Sequence, residues 1–599
     1  MNKEAVFHLN TEEYIYPVSR NRLVVRLRTA ARDFTQCKII YWSRTNPDQK
    51  KEEILIWKNR DELFDYFQGA LTFSKVARYQ KYYFMLEDNT GQIYYFTSTG
   101  ITDQKPEDGY FEYLYANNND IVQFPEWADG TVYYHIFPER FCDGDTDNNP
   151  PECQPWGTVP TRENYMGGDL QGIIDKADYL QQLGVECLYI NPVFEGDFNH
   201  KYATTNYYKI DPQFGTNELF RKLVDTYHKI GIRVILDGVF NHTGVSFPPF
   251  QDLIEHGEDS DYKKWFLADR YPVSITHHDY ECVGAYKWMP KLNSSLRDVR
   301  NFIIHVMEYW IRDYGIDGWR LDVADEVDKT VWQEAGLYLR EKYPHIILIG
   351  ETWQYGGTLI HKANLDSVMN YMFRDAVRDY FGYEKISTQD FDYRINHMLA
   401  LYREEENHIL YNLLDSHDTE RFLYYCQGNK DKFKLAAAYQ MLFIGAPAIF
   451  YGDEVGITGG NDPDCRRCML WDKTADQGIK EWYKTLIQMR NQYPALKKGA
   501  YFTVFTDNAD NILEFTRELE NERIYVIIHK GNNSIDTTCL VSESEVTFTE
   551  ILDRRDYVSE PLTDSEYIGN NDQLKYPAAI RLNMEPYSVK VLVRKEKSL

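Results

Sequence analysis

The rhythm of apolar and polar positions changes twice along the chain. From residue 1 to about 122, apolar residues alternate with polar ones in short runs: RLVVRLRTA, CKIIYW, KYYFMLED and QIYYFTST, separated by turn-forming residues. A period of two puts every second side chain on the same face, so these runs predict half-buried strands of an N-terminal β-sandwich. NNND at 117–120 reads as the end of a linker. From 123 the rhythm becomes strand then helix, repeatedly. TVYYHIF, VECLYINPV, IRVILDGVF, IDGWRLDV, IILIGET, SVMNY, LYNLLDS and PAIFYGDE are nearly continuous apolar runs, and such runs predict strands buried on both faces of a parallel sheet. Between them, DLQGIIDKADYLQQLG sets Leu170, Ile173, Ile174, Ala177, Leu180 and Leu183 on one helical stripe, and NELFRKLVDTYHKIG is a second helix. Strands and helices in this alternation predict a (β/α)8 TIM barrel over 123–505. The segment 243–298 after the third strand is too long for a loop and predicts an inserted subdomain. From 506 to 599 the period of two returns in NILEFTREL, RIYVIIHKG, EVTFTEIL and SVKVLVRK, predicting a C-terminal β-sandwich. The expected architecture is a multidomain α/β chain, a barrel flanked by two β-sandwiches.

Composition narrows the partners. The chain has 599 residues and a net charge of -26, from 66 basic and 92 acidic side chains. Such a surface repels nucleic acid and anionic lipid, so neither is an expected partner. The start, MNKEAVFHLNTEEYIYP, has no apolar core of a signal peptide, and no run of about 18 apolar residues predicts a membrane span. Nine scattered cysteines, an odd number, predict reduced thiols and a cytoplasmic location. The pair Cys465 and Cys468 is a lone CxxC and carries no zinc or redox reading. Aromatic residues make up 15% of the chain, which suits sugar-stacking surfaces and ordinary cores alike.

The candidate chemistry lies at strand ends. GIDGWRLDVADEV, residues 315–327, places Arg320 and Asp322 on one face of a strand. Taken alone, this is either a structural ion pair or a carboxylate held ionised for catalysis. Barrel enzymes put their active sites at strand C-termini. There the third strand offers Asp237, Asn241 and His242, the fifth Glu351, and the seventh His417 and Asp418. Acids, histidines and an arginine gathered on one rim favour the catalytic reading. Asp237 remains open between a part in the chemistry and a brace for Arg320.

DGVFNH, GWRLDVADEV, GETW and SHDTERF, in this order, resemble the four short motifs of the alpha-amylase family of glycoside hydrolases. MPKLN at 289–293 resembles the additional motif of its neopullulanase, cyclomaltodextrinase and maltogenic amylase branch. The resemblance spans essentially the whole chain. It implies retaining cleavage of α-1,4-glucosidic bonds in cyclodextrins, pullulan and maltodextrins. Asp322 would be the nucleophile, Glu351 the general acid and then base, and Asp418 the third carboxylate gripping sugar hydroxyls. Arg320 would keep Asp322 ionised, while an elevated pKa would keep Glu351 protonated. His242 and His417 would donate hydrogen bonds to the cleaved sugar, and Tyr202 would stack beneath it. Trp353 and Glu326 would line the cleft, Glu326 influencing whether water or sugar is the acceptor. The Tyr202 loop departs from the family pattern, with Ala203 and Asn206 where acidic residues are usual. FCDGDTDNNPPE and MGGDLQG resemble the branch's structural calcium site, with Asp143, Asp145, Asn148, Asn149, the Gly167 carbonyl and Asp169 as ligands. The resemblance also implies a homodimer built through the N-terminal domain. Two alternatives are a transglycosylase using the same intermediate and a non-catalytic glycan-binding protein. The presence of all three carboxylates speaks against the second.

Overall fold

The computed structural model describes residues 1–472, 474–562 and 576–595. The chain forms two compact units, residues 124–384 with 408–498, and residues 1–123 with 385–407 and 499–599.

The first unit is the barrel. Its strands are β1 (Tyr133–Ile136), β2 (Cys187–Ile190), β3 (Arg233–Gly238), β4 (Gly318–Leu321), β5 (Ile347–Gly350), β6 (Ser367–Val368), β7 (Tyr411–Leu413) and β8 (Ala446–Phe450). All pair in parallel, in the spatial order β6-β5-β4-β3-β2-β1-β8-β7. A parallel bridge from Met369 to Tyr411 joins the two ends. Tyr133, Tyr189, Ile235, Ile349, Met369 and Tyr411 belong to its buried core. The β4 backbone runs so close to β5 that a Cβ at Gly318 would fall 2.1 Å from the Ile347 carbonyl oxygen. Only glycine fits that approach.

Two local features differ from the expected pattern. The single helix expected over 169–184 breaks at Lys176 into Leu170–Asp175 and Ala177–Leu183. After β2, the strands Phe194–Asp197 and Ala203–Ile210 form an antiparallel hairpin. Its first strand, FEGD, is too short to show a period, so the pattern hid the hairpin. The insert after β3 contains the helix Pro248–His256 and isolated bridges such as His242 to Lys291 and Cys282 to Pro290. The next barrel helix starts at Arg297.

The second unit holds the β-domains. A nine-stranded antiparallel sheet is built from the N-terminal residues, and its alternating positions Leu23, Val25, Leu27, Cys37, Ile39, Leu55, Phe67 and Phe84 fill one core. The C-terminal part has a six-stranded and a three-stranded sheet, and its first strand begins at Ala500. Residues 563–575 and 596–599 of the expected C-terminal domain lie outside the described residues. The helices Thr388–Leu401 and Glu404–Asn407 fall between β6 and β7 in the chain, yet group with the β-domains. Asp392 Oδ1 accepts a hydrogen bond from Thr503 Oγ1 at 2.5 Å, and His397 Nδ1 lies 2.9 Å from Asp61 Oδ2. Among the described residues, no helix is long and apolar enough to cross a membrane. Each of the nine cysteines is a free thiol.

Candidate active site

The site grows from the C-terminal ends of β3, β4 and β5. Asp237 pairs with Arg320 across β3 and β4, and Arg320 pairs with Ile349 across β4 and β5. This register brings three carboxylates to one guanidinium. Nη1 of Arg320 donates to Asp237 Oδ1 and to Asp322 Oδ1, both at 2.9 Å. Nη2 lies 2.9 Å from Glu351 Oε2. Asp237 also accepts from the hydroxyls of Tyr189 (2.6 Å) and Tyr202 (2.7 Å) and from Asn191 Nδ2 (3.3 Å). Its partners make Asp237 the brace of the cluster. Arg320, Asp237, Asp322 and Glu351 are 1–6% exposed, and a charge that deep requires a partner.

Burial raises the pKa of Asp322 well above the usual carboxylate range, and the charges of Glu351, Asp237 and Asp418 add to the rise. Arg320 pulls the other way but does not win. The neighbouring arginine thus lowers Asp322 as expected, but the net shift is upward because burial outweighs it. The physical reason is first the burial of the carboxyl and then the other acids gathered on the same guanidinium. Burial also raises Glu351, as expected, with Arg320 opposing. Two acids held together this way take up a proton as a pair.

Around this cluster sit the expected sugar-facing groups. Tyr202 and His417 stack nearly parallel, with ring centroids 5.4 Å apart and planes 3° apart. His417 Nε2 lies 2.6 Å from the Tyr202 hydroxyl and 3.1 Å from Asp418 Oδ2. The Asp418 side chain is 32% exposed, so it is the open member of the three carboxylates. Burial lowers His417 well below its ordinary value and lowers His242 to about 4, so both rings are neutral near pH 7. His242 Nε2 is 3.1 Å from the Tyr202 carbonyl, which can only accept. In a neutral ring Nδ1 is then an acceptor, and it is buried without a partner. The expected donation to a sugar is thus reversed at that nitrogen. Trp353 is 50% exposed and stacks on Tyr371 at 4.3 Å. Glu326 is exposed, and Lys291 of the MPKLN motif reaches its Oε2 at 3.2 Å. Asn206 Nδ2 donates to Glu195 Oε2 at 3.4 Å, a place where an aspartate would meet a like charge.

The segment 142–149 packs against 166–172. Asp143 Oδ1, Asn148 Oδ1 and Asn149 Oδ1 are buried acceptors without a partner. A Cβ at Gly167 would lie 2.3 Å from Asn149 Oδ1, so glycine admits that oxygen. Asp145 accepts from Asp147 N–H at 3.2 Å. Asp169 accepts from the N–H groups of Gly172 (2.6 Å) and Asp145 (2.8 Å), fixing the loop to a helix start. No group of three or more His, Cys, Asp or Glu side chains that could hold a metal occurs among the described residues. The unpartnered oxygens are amide and carboxylate oxygens, the hard donors that suit calcium.

Some participants were not read from the sequence. Asn191 ends β2 and touches Asp237 and Tyr202. Arg466 donates to the His417 carbonyl at 2.8 Å and reaches Asp418 at 3.3 Å. It sits inside the CxxC, where only the cysteines drew notice. The polar residue ending VECLYIN was a visible signal for Asn191.

A barrel that gathers three carboxylates on one arginine, beside a further open acid and a stacked tyrosine, has the groups that a glycoside hydrolase uses. The chain belongs to the alpha-amylase family, in its neopullulanase, cyclomaltodextrinase and maltogenic amylase branch. The family model for the alpha amylase catalytic domain matches residues 135–523, and the model for the alpha amylase N-terminal ig-like domain matches residues 1–117. Neopullulanase 2 of Thermoactinomyces vulgaris is 39% identical over 98% of this chain and 99% of its own length. An intracellular maltogenic amylase of Bacillus subtilis is 34% identical over 89% of this chain and 92% of its own. A solved cyclomaltodextrinase superposes with a TM-score of 0.92 at 34% identity, covering 99% of this chain and 100% of its own.

Proposed function

We propose that the protein hydrolyses α-1,4-glucosidic bonds of cyclodextrins, pullulan and short maltodextrins with retention at the anomeric carbon. The observation that carries this reading is the single guanidinium shared by Asp322 and Glu351. Sharing it keeps the two acids close, as the retaining route needs (about 5 Å), rather than spread by the roughly 6.5–9.5 Å of an inverting pair. In the reactive state the pair holds one proton, on Glu351. Arg320 favours the ionised form of Asp322, and Asp322 attacks the anomeric carbon as Glu351 protonates the leaving oxygen. Glu351 then takes a proton from the water that releases the sugar. Tyr202 supports the ring, and Asp418, His417 and Arg466 form the edge that meets its hydroxyls.

Calcium would be held by Asp143, Asp145, Asn148, Asn149, the Gly167 carbonyl and Asp169. It would pin the two segments that lead from β1 toward the next helix, a structural role. Chelation should lower the melting temperature by several degrees, and calcium alone should restore it. Unchanged melting after chelation would remove calcium from the account.

The reading includes a cytoplasmic protein, supported by the free thiols and by the relative named as intracellular. It also includes a homodimer through the N-terminal domain, where Ile54 and Ile56 are exposed two residues apart on one strand face. Light scattering in solution reads the mass directly. The central test is purified protein on β-cyclodextrin, pullulan and soluble starch side by side, with products separated and glucose added as acceptor in one arm. Fast cyclodextrin cleavage with slower release from pullulan and starch is expected. Fast starch cleavage with inert cyclodextrin would overturn the substrate assignment.

A further inference from the structure

Val323 follows Asp322 and has φ of 45°. Left-handed backbone is a steric outlier for a β-branched residue, and such strain persists only where the surroundings impose it. Here it has a visible product. The Val323 N–H donates to Glu351 Oε2 at 2.9 Å. The next amide, Ala324 N–H, donates to the Glu351 carbonyl at 3.2 Å, while Asp322 N–H donates back to the Gly238 carbonyl at 3.0 Å. Within two residues the backbone therefore turns from β3 to the residue that ends β5. Nη2 of Arg320 lies 2.9 Å from the same Oε2. One N–H donor and the Arg320 cation face the same oxygen of Glu351, and both disfavour a proton there.

We propose that Val323 is a positioning residue of the reaction: its strained backbone amide fixes Oε1 as the oxygen of Glu351 that carries the proton, and steadies the carboxylate left after transfer. The proposal rests on Glu351 being the acid and base. In the first step the O–H bond at Oε1 breaks and the glycosidic oxygen takes the proton as its bond to the anomeric carbon breaks. The charge left on Glu351 falls on Oε2, already met by the Val323 N–H and Arg320. In the second step Oε1 takes a proton from water, whose oxygen bonds the anomeric carbon as the bond to Asp322 breaks. An unstrained φ at 323 would redirect the chain that follows and break the Ala324 N–H bond to the Glu351 carbonyl while Asp322 N–H stays on Gly238, so the strain keeps the turn that holds the Val323 N–H against Oε2.

The test replaces the Val323 amide with an ester in the full-length protein, using the hydroxy acid analogue of valine. The N–H is lost and the side chain stays. Removing a donor from the charged form raises a carboxyl pKa. The alkaline limb of kcat/KM should therefore move up by about half to one pH unit, with kcat down about three- to thirtyfold and KM within about twofold. Val323→Gly keeps the N–H and should leave the limb in place. A limb unmoved in a folded ester protein, or moved as far by Val323→Gly, overturns the proposal. A second measurement needs no ester. In protein labelled with 15N-valine, the Val323 amide proton should shift as Glu351 ionises, and that titration should vanish in Glu351→Gln. An amide shift indifferent to Glu351 also overturns it. Full cleavage by Glu351→Gln is a different result, and it would instead remove Glu351 as the acid.

Discussion

Arg320, in β4, and Arg421, in the corner after β7, are both buried in the same barrel unit and both among carboxylates, and only Arg320 joins the candidate active site. Arg421 is 0% exposed and Arg320 1%. Arg421 Nη1 donates to Asp453 Oδ1 at 3.1 Å, and Asp453 shares a hydrogen bond with Asp415. Burial raises both of these acids, as it raises Asp322 and Glu351. By burial, charge and pKa direction the two clusters match, so a perturbed carboxylate beside an arginine does not by itself mark a site. What differs is where the donors go. Arg421 also donates to the Cys465 carbonyl at 2.8 Å and the Tyr451 carbonyl at 2.6 Å, and Asp415 accepts from Phe422 N–H at 2.5 Å. That cluster ties the corner after β7 and β8. The Arg320 cluster draws acids from β3, β4 and β5 and borders exposed Trp353 and half-exposed Asp418. An acid needs an opening beside it before it can act on a sugar.

The largest effect that could break this comparison is on turnover. Asp322→Asn keeps the shape and removes the nucleophile, so activity on cyclodextrin should fall on the order of 10⁴-fold or more. Its melting temperature should hold or rise, because a buried acid that resists ionisation is replaced by a neutral group. Asp453→Asn should stay within about threefold of wild type in kcat. The new amide nitrogen can donate to Asp415 where the shared proton sat, and the amide oxygen can still accept from Arg421. Equal losses in the two variants, measured as initial rates with melting curves beside them, would show that the clusters are one site.

The same comparison shows how far the sequence could be read. All the barrel strands stood out because parallel strands buried on both faces leave continuous apolar runs. The hairpin after β2 did not, since FEGD has no period of its own. Asp322 and Glu351 were legible because each directly follows a strand inside a motif, and Asp418 because it lies in a motif in the loop after β7. Arg466 and Lys291 were not singled out, because they reach the site from loops whose course no periodicity records. The residue spacing placed Arg320 beside Asp322, but it could not show that Asp237 and Glu351 draw on the same guanidinium. Nor could it show how deeply Asp322 is buried, and that burial outweighs the arginine and sets the net direction upward. Segment 385–407 grouped with the β-domains for a related reason: its helical pattern marks a buried face without naming what covers it.

The smallest effect, and the finest test, is the pH dependence of stability. Asp453 has a folded pKa raised well above its ordinary value by burial and by Asp415. As pH rises past about 4, the unfolded chain gives up this proton first, while the native state keeps it. The native state then binds more protons than the unfolded state, so stability falls with pH until the folded pKa is passed. An asparagine at this position would have nothing to ionise. Asp453→Asn should therefore match wild type in acid and become progressively more stable relative to it toward pH 8, read from melting curves at matched ionic strength. Asp322→Asn should show the same sign, because burial raises that acid too. Matching pH signatures with opposite activities would place the distinction between the clusters in their access to substrate. A flat difference at position 453 would mean that Asp415 and Asp453 hold no shared proton, and the resemblance between the two arginine clusters would then end at their geometry.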